Sequence, residues 1–287
     1  MKQVGSLIAL FLFGISCAAA EDHAARGLVL QVDPAHHRFL ASCDPIPGYM
    51  DAMEMRFTVR DTKSLSNLRP GAIVRFTIVE GGKTPYAQNI QAIANFEPEP
   101  VGAGALTALS VAVDPATASK VVQIGQPVPD FSLTDQAGRL VSLSQFRGKI
   151  IALTFGYSRC PNPNYCLRLS RNLSQIQSRF REHAGRDLVL MTIAIDPEYD
   201  QGANLARYAA SFGANADSWH FLTGSIEQVH DVAGLFGMNF WSSEGLLTHT
   251  LHTVIIDRDG ILAANIDGNQ FSSRQLGDLV LAVMSRR

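Results

Sequence analysis

The chain has 287 residues, 46% of them hydrophobic, enough for a sizeable core in one or two domains. Lys and Arg number 24 against 26 Asp and Glu, and with no basic run or stripe this balance argues against a nucleic-acid partner. Only four cysteines are present, too few for a disulfide-stapled scaffold.

The first 20 residues read as a secretory signal peptide. Lys2 precedes an apolar run from Val4 to Ile15, and Ala18-Ala19-Ala20 forms a small-residue cleavage site before Glu21. About a dozen apolar residues are too few to span a bilayer. The expected location is therefore outside the cytoplasm, in the periplasm or on the outer face of the inner membrane. Cys17 offers the alternative of a lipidated cysteine, although Gly14 stands three positions before it where leucine is usual. A lipid there would be the chain's one membrane attachment. Cleavage after Ala20 leaves Cys43, Cys160 and Cys166.

Glu21 to Arg26 reads as a frayed terminus. From 27 to 96 the pattern is that of a small all-β domain. Gly27 to Asp33, Arg38 to Ser42, Arg56 to Arg60, Ala72 to Val79 and Ala87 to Phe96 are five short strands, and Glu80-Gly81-Gly82 turns the chain before the last. Five such strands suggest an OB-like barrel. Residues 97–120 carry EPEP and a low-complexity Ala/Gly/Val/Thr run, and read as a linker. From 121 to 287 strand and helix alternate, which predicts an α/β sheet with helices on its faces. The hairpin 130–134/140–143 is followed by the strand 150–155, helix 167–182, strand 188–195, helix 202–212, strand 219–222 and helix 226–236. Strands 250–257 and 261–266 and helix 272–285 complete the series.

Ile150 to Cys166, IIALTFGYSRCPNPNYC, holds the first chemical constellation. A buried strand ends in Gly156, and a loop then carries Cys160 and Cys166 with five residues between them. Two thiols before a helix can exchange electrons as a dithiol, hold a soft metal, or close a structural disulfide. The helix N-terminus is expected to lower thiol pKa. In a thioredoxin-like sheet, the loop entering the next antiparallel strand faces the cysteine loop. Redox enzymes of that fold generally carry a cis-proline there. This chain has no proline after Pro197 and presents Thr248-His249 instead. His252, three positions on, is read as a bystander facing away.

The motifs Gly125-Gln126-Pro127-Val128-Pro129-Asp130-Phe131, Phe146-Arg147-Gly148-Lys149 and Phe155-Gly156-Tyr157-Ser158-Arg159-Cys160-Pro161 resemble those of the Sco/SenC proteins. So do Asp196-Pro197-Glu198, Asp200, and His249 followed ten positions later by Asp259-Gly260. Those proteins are thioredoxin-like copper proteins linked to assembly of the copper centre of cytochrome c oxidase. The resemblance runs from Val121 to the end. It implies Cys160, Cys166 and His249 as copper ligands and Asp196 as an acid beside the site. Two thiolates and an imidazole suit Cu(I) and can accommodate Cu(II). The family usually spaces its cysteines by three residues with proline after the second, whereas here five intervene and Leu167 follows.

The second constellation is Cys43 to Phe57, CDPIPGYMDAMEMRF. Met53 and Met55 share one face of a strand, and Met50 adds a third thioether nearby. The stretch resembles the small periplasmic copper-binding domains of the CusF type, which show His-x-x-Ile-Pro and then Met-x-Met-x-Phe on an OB barrel. That resemblance implies a Cu(I) site at Met53 and Met55. Cys43 stands where the histidine is expected, either as a soft ligand or as an inert buried thiol. Tyr49 lies near the position of an aromatic that caps the metal in some relatives.

The leading expectation is a copper metallochaperone whose partner is a copper-acceptor protein such as a cytochrome oxidase subunit. The alternative is a thiol-disulfide oxidoreductase in which Cys160 attacks, Cys166 resolves, and an envelope thiol-redox partner is served. A peroxidase is disfavoured because Ser158-Arg159-Cys160 lacks the threonine placement of a Thr-x-x-Cys site.

Overall fold

The computed structural model describes residues 22–80, 85–93, 121–243 and 246–286. The signal segment read at 1–20, the Gly81-Gly82 turn, the end of the last barrel strand at 94–96 and the linker read at 97–120 lie outside these residues.

Strands β1 (His23–Asp33), β2 (Arg38–Cys43), β3 (Glu54–Thr58), β4 (Ile73–Val79) and β5 (Tyr86–Ala92) close a barrel in the order β1-β2-β3-β5-β4. The terminus read as frayed is strand: His23 pairs with Ile78 and Arg26 with Arg75. Alternate residues point inward, so Val29, Phe39, Ala41, Cys43, Phe57 and Phe76 fill the interior. Phe39, Phe57 and Phe76 meet at centroid separations of 4.8–5.6 Å, the range in which aromatic edges and faces attract.

The second part is a seven-stranded sheet. Its strands are β6 (Ser132–Asp135), β7 (Leu140–Ser142), β8 (Ile150–Gly156), β9 (Leu188–Ala194), β10 (Trp219–Thr223), β13 (His252–Ile256) and β14 (Leu262–Asp267), ordered β14-β13-β8-β9-β10-β6-β7. The three central strands β8, β9 and β10 are parallel, and β13 and β6 flank them antiparallel. Both faces of β8 and β9 are covered, which is why they read as unbroken apolar runs. Helices α1 (Cys166–Arg179), α2 (Gly202–Ser211) and α4 (Ser273–Met284) supply the core of one face, and α3 (Ile226–Leu235) that of the other.

One element was not foreseen. β11 (Phe240–Ser243) and β12 (Leu246–His249) form a two-stranded ribbon apart from the main sheet, with Phe240 opposite His249. The strand expected from Thr250 begins only at His252. Thr250 and Leu251 are the step from ribbon to sheet.

The barrel docks on the sheet domain through β1. Val29 faces the barrel core, while Leu28, Leu30 and Ile73 of the barrel join Leu276, Leu279, Val280 and Val283 of α4 in the other core. Backbones also meet directly. Gly71 has φ +92°, and a Cβ there would lie 2.7 Å from the carbonyl oxygen of Asn265 on β14. Replacing Gly71 with Ala therefore forces both a strained φ and a backbone clash, costing about 2 kcal/mol or more. Both tryptophans, Trp219 and Trp241, belong to the sheet domain. In the wild-type chain, fluorescence and far-UV circular dichroism should report one shared unfolding transition. In Gly71→Ala the two curves should separate.

Candidate metal centre

The loop after β8 is clamped before it reaches Cys160. Ser158 donates from its backbone N–H to Asp200 Oδ2 at 2.8 Å and from its hydroxyl to Asp200 Oδ1. Arg159 donates to Asp196 Oδ2 from Nε at 2.8 Å and Nη2 at 2.7 Å, and its guanidinium lies 4.5 Å from the centroid of the Tyr199 ring. Asp196 thus holds the residue before Cys160.

The five-residue spacer folds back on itself. Asn162 Oδ1 accepts from the N–H of Asn164 at 2.9 Å, a local turn around Pro163. Asn269, fully buried, donates from Nδ2 to Asn164 O at 2.8 Å. The long spacing therefore still returns Cys160 to Cys166, which is the first residue of α1. Gly156 makes room for this approach, since a Cβ there would stand 3.3 Å from Cys166 Cβ and 3.2 Å from the Tyr208 hydroxyl.

His249 closes the site from the end of β12. Its Nδ1–H donates to Thr250 O at 2.8 Å, which leaves Nε2 as the lone-pair nitrogen, 3.4 Å from Cys166 Sγ. Tyr157 meets the imidazole edge-on at 5.8 Å and donates its hydroxyl to Leu247 O at 3.2 Å, tying the thiol loop to the ribbon. The donor atoms of Cys160, Cys166 and His249 all lie within 4.8 Å of one another. Two sulfurs and an imidazole lone pair at that spacing can converge on one soft ion. His252 stands apart, its Nδ1–H directed at Asn265 Oδ1 at 2.9 Å. It faces elsewhere because β12 ends and β13 begins between the two histidines.

The two thiols are unequal. Cys160 is partly exposed, and the hydrogen bond it receives from Cys166 holds its thiol down at about 4, against an ordinary value of 9.0. Cys166, 1% exposed, is pushed well up by burial and by its neighbour. The expectation that the helix N-terminus lowers thiol pKa is thus corrected for Cys166. Desolvation at the first helical residue outweighs the helix dipole.

In the barrel, Ser42 pairs with Glu54 and Ala41 with Met55, and the N–H of Cys43 donates to Met53 O at 2.8 Å. Cys43, Met53 and Met55 therefore share the inward-pointing parity of neighbouring strands. Cys43 is wholly buried, Met55 half-buried and Met53 47% exposed. Burial, and secondarily the charge of Asp44, pushes the Cys43 thiol up to about 12. Tyr49 stacks on His23 at 3.7 Å. The sequence reading missed His23 because it lay in the stretch taken as frayed.

The fold and this donor set define a class: a thioredoxin-like domain with a two-sulfur, one-imidazole centre in place of a cis-proline redox site, docked to a sulfur-bearing barrel. Residues 119–284 match the SCO1/SenC family model, and the chain belongs to that family. Residues 22–92 match the model for the copper binding periplasmic protein CusF. The mitochondrial protein SCO2 homolog of Bos taurus is 29% identical over 139 residues, 46% of this chain and 50% of that protein. The SCO1 protein homolog of Bacillus subtilis is 27% identical over 97 residues, 34% of this chain and 49% of that protein. The chain thus spans about half the length of these curated relatives. A crystal structure of a SCO1/SenC family lipoprotein from Bacillus anthracis aligns with TM-score 0.50 and 20% identity, covering 55% of this chain and 95% of that one, and shares the fold.

The unequal thiols set a pH profile. A thiolate reacts and a thiol does not, so alkylation of Cys160 by iodoacetamide should persist as pH falls and be lost only near its value of about 4. Cys166 should stay unmodified at neutral pH. Peptide mapping of the metal-free chain across pH 3–9 checks both; loss of Cys160 reactivity already near pH 8 would contradict the assignment.

Proposed function

We propose that this chain is an exported copper metallochaperone that takes up Cu(I) and hands it to an acceptor in cytochrome c oxidase assembly. The observation that carries the reading is the convergence of Cys160 Sγ, Cys166 Sγ and His249 Nε2 within 4.8 Å. Membership of the SCO1/SenC family and the match to a copper-binding periplasmic family at the other end of the chain support it. Copper is the cargo, bound by soft donors that suit Cu(I).

The residues divide the work. Cys160, partly exposed and already a thiolate, is the donor an incoming ion or acceptor meets first. Cys166 gives up its proton as it joins. His249 offers Nε2 without losing a proton, because its Nδ1–H is committed to Thr250 O. Exchange for an acceptor's ligands proceeds from the Cys160 side, since Cys166 and His249 are buried. Cys43, Met53 and Met55 form a second Cu(I) site in the barrel. The acceptor is a protein such as a cytochrome oxidase subunit, and an envelope thiol-redox partner keeps Cys160 and Cys166 reduced. The N-terminal segment, cleaved after Ala20 or lipidated at Cys17, directs the chain to the periplasm or the outer face of the inner membrane.

A second reading has its own observation. A low-pKa, accessible Cys160 beside a buried, high-pKa Cys166 is the asymmetry of an attacking and a resolving thiol. Cys160 thiolate would attack one sulfur of a partner's disulfide and release the other as a thiolate. Cys166 would then displace the partner, leaving a Cys160–Cys166 disulfide and a reduced partner dithiol.

Anaerobic Cu(I) titration separates the two. The copper reading expects two ions per wild-type chain, one lost in Cys160→Ala/Cys166→Ala and the other in Met53→Ala/Met55→Ala. Unchanged stoichiometry in every variant would sink it. Reductase activity lost with the Cys160/Cys166 pair, in a chain that binds no copper, would favour the second.

A further inference from the structure

The barrel and the thiol loop are joined by a short, fully partnered seam. Asn269, which donates to Asn164 O in the thiol loop, is followed by Gln270, whose carbonyl accepts from Arg26 Nη2 at 2.5 Å. Arg26 donates from Nη1 to Asp44 Oδ2 at 2.6 Å. Asp44 Oδ1 in turn accepts from Gln275 Nε2 at 3.0 Å, and the same amide donates to Ser42 O at 3.1 Å. Arg274 completes the grip, donating to Cys43 O at 2.6 Å and to Ser42 Oγ at 2.9 Å. Gln275 also closes the capping box of α4 with Ser272, so the residue that grips the barrel also starts the helix.

Ser42, Asn269, Gln275 and Asp278 are all buried. Ser42 donates to Asp278 Oδ2 at 2.7 Å, and Asp278 also pairs with Arg179 and Arg274. A buried polar network in which each of these members has a partner is rigid, and displacing one member disturbs the rest. The segment is also short. Five peptide steps separate Asn269 from Arg274, at most about 17 Å even if extended.

Each end of the seam holds a ligand-bearing segment. Cys43 is wholly buried while Met53 is half exposed, and the Cys43 carbonyl is held by Arg274. Closing Cys160 onto an ion moves the spacer, whose Asn164 carbonyl is held by Asn269.

We propose that residues 269–275 couple the two sulfur sites, so that filling the Cys43/Met53/Met55 site tightens Cu(I) binding at Cys160/Cys166/His249 of the same chain. Arg274 is the positioning residue for Cys43. The coupling rests on the copper reading above. A displacement at one held end is carried through the rigid seam to the other, and couplings between sites are commonly about fivefold or more.

The test is a cycle on the full mature chain, using Cu(I) competition against a chromophoric chelator. The affinity of the Cys160/Cys166/His249 centre is measured with the barrel site intact and filled, and again in Met53→Ala/Met55→Ala. The expected ratio is at least about fivefold in the wild-type background and near one in Arg274→Ala. Gln275→Ala, which removes the bonds to Ser42 O and Asp44 without unpairing a charge, should also collapse the ratio and serves if Arg274→Ala does not fold. A ratio near one in the wild-type background, or one unchanged by Arg274→Ala and Gln275→Ala, overturns the coupling while leaving both sites standing. A wild-type chain that binds no Cu(I) removes the copper reading itself, and the coupling with it.

Discussion

The burial of Cys166 at the first residue of α1 is the constraint on which the centre depends. With 1% exposure it cannot carry its own charge cheaply, so it stays a thiol and donates to Cys160. That bond makes Cys160 the more acidic thiol, on the accessible side. The same burial leaves little room opposite at Gly156, where a Cβ would stand 3.2 Å from the Tyr208 hydroxyl and 3.3 Å from Cys166 Cβ and press on both. The donor geometry, the difference between the thiols and the side from which a partner approaches all follow from one packed sulfur.

His249 completes the set by a different route. It is held by the ribbon of β11 and β12, by the Thr250 carbonyl and by Tyr157, which bonds the ribbon's backbone. Its tautomer is therefore settled before any ion arrives. A preset imidazole beside a thiol–thiolate pair favours binding of a soft cation, whereas the dithiol taken alone is equally suited to disulfide exchange. The clamp on Ser158 and Arg159 by Asp200 and Asp196 keeps the loop in register for either chemistry.

The two parts of the chain share a core. β1 buries residues on both faces, Val29 into the barrel and Leu28 and Leu30 against α4, and Gly71 lets two backbones touch. An interface of that kind resists separation, unlike the more polar contact expected between loosely tethered domains.

Local signals in the sequence were enough for most of the elements and for most of the candidate donors. Apolar runs bounded by Gly and Pro marked β8 and β9, five short alternating strands marked the barrel, and Cys160, Cys166, Cys43, Met53 and Met55 were conspicuous by type and spacing. The continuous apolar run Leu28-Val29-Leu30 also carried the docking in principle, since a strand buried on one face alone would alternate. The ribbon was missed because Trp241 to Thr248 has too few residues for a clear period. What only the tertiary structure decided involves partners far apart in the chain: Cys166 and His249 are 83 positions apart, and Cys43 and Arg274 are 231 apart. Thiol acidity, histidine tautomer and the seam between the sites depend on burial and hydrogen bonds at those separations. Residue type and spacing therefore determined which atoms could bind a soft metal, and packing decided which of them meet and in what protonation state.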